Sequence, residues 1–68
     1  MVSLTKKQFM EIHQAAGQLM VVIMHRESVS KDKAESMVID ILKDYDDLLR
    51  GGDSASVVRG LQFLSKSW

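Results

Sequence analysis

Carboxylates crowd one stretch of the chain, where Asp40, Asp44, Asp46 and Asp47 fall within eight residues. At that density acidic side chains could bind calcium, work as an acid–base pair, or dock a basic partner. A calcium loop needs carboxylates on a curved loop with a glycine and a closing glutamate. The segment DYDDLLRGGD has neither that register nor that glutamate. An acid–base pair needs a cleft, and helical spacing puts Asp40, Asp44 and Asp47 together on one solvated face. They form either an ordinary solvated face or a docking surface for a basic partner.

The other reactive residue types assemble into nothing better. His13 and His25 are twelve residues apart, about 120° around one helix, so a straight helix cannot bring both to one ion. No HExxH motif occurs. Serines stand at 3, 28, 30, 36, 54, 56, 65 and 67, mostly where serine bonds the backbone at caps and loops. There is no GxSxG elbow and no phosphate-binding GxxxxGK[ST], and Gly51-Gly52 is too brief to cradle a phosphate. The sequence therefore predicts no catalytic residue, no metal site and no cofactor, and an enzyme is not expected.

Arg59, Gln62 and Lys66 could reach bases from a recognition helix. However, nine basic and nine acidic residues give zero net charge, without the basic excess usual in nucleic-acid-binding domains. A DNA-associated transcriptional regulator is kept only as the alternative reading.

These residues must be positioned by helices. There is no proline, which favours uninterrupted helices. Thr5-Lys6-Lys7-Gln8 fits a capping box after a short lead, with Leu4 and Phe9 placed as a hydrophobic staple. The pattern is helical from residue 6 to about 25, with Phe9, Ile12, Ala16, Leu19 and Ile23 inward. Ser30 caps a second helix, residues 31–50, which reads as the central one. Its apolar residues Ala34, Val38, Ile41, Tyr45 and Leu48 step by 4, 3, 4 and 3, a helical period. Gly51 suits a left-handed C-cap. Asp53 or Ser54 caps a third helix, about 54–66, with Val57, Val58, Leu61 and Leu64 inward, Trp68 a further candidate for that stripe, and Gly60 weakening it. The expected fold is all-α, a single three-helix domain over residues 1–68: a helical hairpin plus a short third helix.

At 68 residues a domain buries only about 60% of its extended surface, and small scaffolds usually add disulfides, a metal or a partner. No cysteine is present, which removes disulfides and suits a reducing, cytoplasmic setting. The longest uncharged apolar run, residues 19–24, is six long, against about 20 needed to span a bilayer. No membrane association is expected. That run is apolar all round and must be covered on every side. It is either the centre of the monomer's core or the seam of a homodimer. The sequence favours the seam, formed by Ala16, Leu19, Met20, Val22, Ile23 and Met24, with Gly17 allowing another helix close. Phe63 lies off the third helix's stripe. With Trp68 and the acidic face of Asp40, Asp44 and Asp47, it forms a candidate surface for a protein partner.

Gln14-Ala15 and Leu19-Met20 in the first helix, then Val29-Ser30-Lys31 leading into Met37-Val38-Ile39-Asp40-Ile41-Leu42, resemble the YmgB/AriR family of small enterobacterial regulators. Leu61 to Leu64 stands where that family has a final apolar helix. The resemblance spans most of residues 12–64. The chain departs from the family in its short lead and in residues 21–26, which look like an insertion. The resemblance implies a cytoplasmic all-α dimer acting as a connector that binds a signalling protein or regulator in biofilm and stress control. From residues and resemblance together, the expected function is a non-enzymatic protein–protein interaction module. Bacterial connectors, phage-encoded inhibitors and small secretion chaperones are of this kind.

Overall fold

The computed structural model describes residues 3–68; Met1 and Val2 of the lead lie outside the described residues. The fold is all-α. Among the described residues there are four helices: α1 (Lys6–Glu27), α2 (Lys31–Lys43), α3 (Asp46–Arg50) and α4 (Ser54–Ser67).

Local rules account for the helix starts. The Gln8 amide donates to Thr5 Oγ1 at 3.1 Å and the Thr5 amide to Gln8 Oε1 at 2.8 Å, a reciprocal capping box. The Ser30 hydroxyl accepts from the Lys33 amide at 3.2 Å. Asp53 caps α4, accepting from the Ser56 amide at 3.1 Å and the Ser56 hydroxyl at 2.7 Å. The first helix runs two residues past the expected end, and Ser28 closes it in the left-handed region at φ 52°.

The long α1, not the second helix, is the central element. It packs against α4 on one side and α2 on another, while α3 rests on α4. Its inward line is Ile12, Ala15, Leu19 and Ile23, which meets Ala34 and Val38 of α2 and Val57 and Leu61 of α4 in one core. Ala15 takes the buried place expected of Ala16, which is half-buried, and Phe9 is exposed. Two flanking helices draw the buried stripe around the α1 surface and away from its Phe9 edge.

The expected helix over residues 31–50 is broken. Its last turn tightens, with the Asp44 and Tyr45 amides bonding three residues back to Ile41 and Leu42. Tyr45 then sits at φ −99°, ψ 11°, in the bridge region between helix and strand. The break re-aims the chain. Leu49 joins the core margin, while Leu48, placed inward by unbroken periodicity, is exposed. The glycine turn closes one residue later than expected. Gly52, not Gly51, has positive φ, at 76°. The Asp53 amide donates to the Leu48 carbonyl at 2.9 Å and the Gly52 amide to that of Leu49 at 3.1 Å, the paired bonds of a Schellman motif.

Candidate interaction surface

The face of α1 turned away from α4 is only partly covered. An open apolar depression lies where the start of α1 meets the end of α2 and α3, lined by Leu4, Phe9, His13, Ala16, Leu42 and Leu49. A second depression continues it along the α1–α2 boundary, past Gly17, Met20 and Ile39, with Lys31 and Glu35 on its rim. Together they make one groove, sharing His13, Ala16 and Leu42. Large side chains remain in water beside it: Phe9 is 59% exposed, Met10 54% and Ile39 47%. A groove of this form can hold the apolar side of a helix.

The residues expected at a homodimer seam separate. Leu19 and Ile23 have 0% exposure, so they belong to the chain's own core and cannot form a contact surface. Their place on that seam is corrected: α2 and α4 already enclose the side of α1 they occupy. Ala16, Met20, Val22 and Met24 are half-buried; of these, Ala16 and Met20 line the groove. The partner-surface residues separate as well. Trp68 is half-buried and packs on the core. Its indole N–H donates to Glu27 Oε1 at 3.2 Å, and its carbonyl accepts from Arg26 Nη1 at 2.9 Å. It fastens the end of α4 to the end of α1, which corrects its expected role as a free contact. Phe63 is 69% exposed.

The acidic residues do not make one continuous helical face. Asp40 and Asp44 belong to α2 and its cap, while Asp47 lies beyond the break in α3. Asp40 lies 3.5 Å from Lys43 Nζ, and Asp46 lies 2.9 Å from Arg50 Nε. Both are exposed pairs of small energetic weight. No three metal-ligating side chains come together among the described residues.

The fold moves the titration of the Asp53 cap. The Ser56 hydroxyl and then the Ser56 amide hold its pKa below the usual carboxylate range, against an opposing effect of burial and with a lesser contribution from the Arg59 charge. A lowered pKa in the folded state means that the ionised cap favours folding above the ordinary carboxylate range. This contribution is lost as the pH falls through the folded-state value. The fully exposed position keeps the effect small. Asp53→Asn keeps a capping oxygen but cannot titrate, so its melting temperature should fall less steeply on acidification than that of the wild type. Identical acid profiles would remove Asp53 as a contributor.

Sequence reasoning missed Ile39 and misplaced Phe9. A signal for Ile39 was present: an isoleucine off the Ala34–Val38–Ile41 stripe, beside Asp40 on what should be the polar side of α2. Among the described residues no helix is long and apolar enough to cross a membrane. No family model matches the chain, and neither a curated protein nor a solved structure matches it.

Proposed function

We propose that this protein is a cytoplasmic, non-enzymatic interaction module that modulates a regulatory or signalling partner by docking an amphipathic helix of that partner in the α1–α2 groove. The supporting observation is the uncovered apolar lining, with Phe9 and Ile39 standing 59% and 47% exposed at its edges. Helix-in-groove recognition uses apolar anchors at helical spacing, and the groove between α1 and the 13-residue α2 suits such a ligand. The resemblance to YmgB/AriR points toward the same class of regulatory connector, and the working form in this reading is a homodimer.

Ile39→Asp tests the docking face. Ile39 lies on the surface, so the variant should fold and melt near the wild type. A charge in the groove should abolish capture of any protein that the wild-type chain retains from its native cell. Retention of the same protein by both chains, with circular dichroism unchanged, would overturn the reading.

A further inference from the structure

The α1 wall of the groove carries a regular line that its own fold covers only in part. Met10, His13, Gly17, Met20 and Met24 are spaced by 3, 4, 3 and 4 residues, the repeat of a helix seam. The line continues to Lys6 at one end and Glu27 at the other, both exposed. Met10 on the line is 54% exposed, and Val21 flanks it at 48%.

Gly17 is its midpoint, seven residues from both Met10 and Met24. A glycine inside a helix weakens it. Nothing within the chain explains this one, since an added Cβ would meet no atom within 4 Å. Its absence leaves a shallow notch halfway along a helix of 22 residues.

We infer that this line is the contact between two copies of the chain, with their α1 helices antiparallel and crossing at Gly17. It deepens the homodimer of the proposed function, and it uses His13, Gly17 and Met20 of the same groove wall. A two-fold axis through Gly17 sets Met10 of one copy against Met24 of the other. It also brings Lys6 to the neighbourhood of Glu27 in the other copy, so unlike charges meet at both ends. The helix dipole acts in the same sense, each positive N-terminal end lying by a negative C-terminal end. A parallel pair would stack Lys6 on Lys6 and Glu27 on Glu27. Arg26, the other strong charge at that end, is turned to the Trp68 carbonyl, and Glu27, whose Oε1 accepts from the Trp68 indole, stays exposed.

Sedimentation and cysteine cross-linking test the inference on a chain that has no cysteine of its own. The wild type should sediment as a dimer. Gly17→Leu fills the notch, and its Cβ meets no atom of its own chain within 4 Å, so a chain that keeps its helical dichroism should show self-association weakened about thirtyfold or more. Oxidising a mixture of Met10→Cys and Met24→Cys chains should give the mixed disulfide, whereas Met10→Cys alone should stay uncrosslinked. Three results overturn the inference: a wild-type monomer at its highest soluble concentration, a Gly17→Leu chain that pairs as well as the wild type, or ready self-cross-linking of Met10→Cys. A monomeric chain whose partner capture still depends on Ile39 would defeat this pairing and the homodimeric form, and leave partner docking at Ile39 standing.

Discussion

Leu19→Ala should bring the chain to the edge of unfolding. Leu19 is wholly enclosed at 0% exposure, between Ala34 and Val38 of α2 and Val57 and Leu61 of α4. Truncating such a leucine costs about 2–5 kcal/mol, because lost burial adds to the cavity left behind. A domain of 68 residues has about 3–10 kcal/mol to lose, and a small core sits toward the lower end. Urea titration followed by circular dichroism should show a midpoint far below that of the wild type, or no folded baseline. Met20→Ala supplies the contrast. Met20 is half-buried on the groove side, so its truncation should cost distinctly less. Equal losses for the two, or a Leu19→Ala chain that melts normally and loses only self-association, would move Leu19 out of the core.

This contrast shows where the sequence was readable. The caps at Thr5, Ser30 and Asp53 are local: each lies within three residues of the amide it serves. Helical periodicity likewise gave the all-α class. Residues 19–24 are apolar on every side, and no local rule says which side the chain itself covers. That depends on α4, which meets α1 from more than thirty residues away and takes Leu19 and Ile23 while leaving Val21 in water. Trp68 could be placed on the third helix's stripe, but its clasp was unreadable for the same reason, since its indole partner Glu27 is 41 positions earlier. The groove was legible only in fragments. Phe9 and Met10 could be seen as apolar, but their exposure follows from the angle at which α2 leaves the first loop and from the break before α3.

That break has its own cause, and it yields the second large effect. No proline or glycine interrupts residues 41–48, and the apolar steps continue through them. What the bend achieves is tertiary: it lays the Tyr45 ring against α4 at Gly60. A Cβ built on Gly60 would come within 2.6 Å of Tyr45 Oη and 3.0 Å of its Cζ, well inside van der Waals contact. Gly60 is therefore a seat for the ring. Gly60→Ala gains about 1 kcal/mol of helix propensity but must displace a half-buried aromatic ring, and overpacking of this kind costs about 1–3 kcal/mol. The expected net result is a lower melting temperature. In a Tyr45→Leu background the obstruction is gone and only the propensity remains, so the same Gly60→Ala change should raise the melting temperature. Tyr45→Phe, which removes Oη and leaves Cζ, should fall between. Residues in contact are where additivity fails, and a change of sign between backgrounds is the strongest form of that failure. If Gly60→Ala shifts stability equally with and without the Tyr45 ring, the ring does not rest on Gly60, and the bend before α3 needs another explanation.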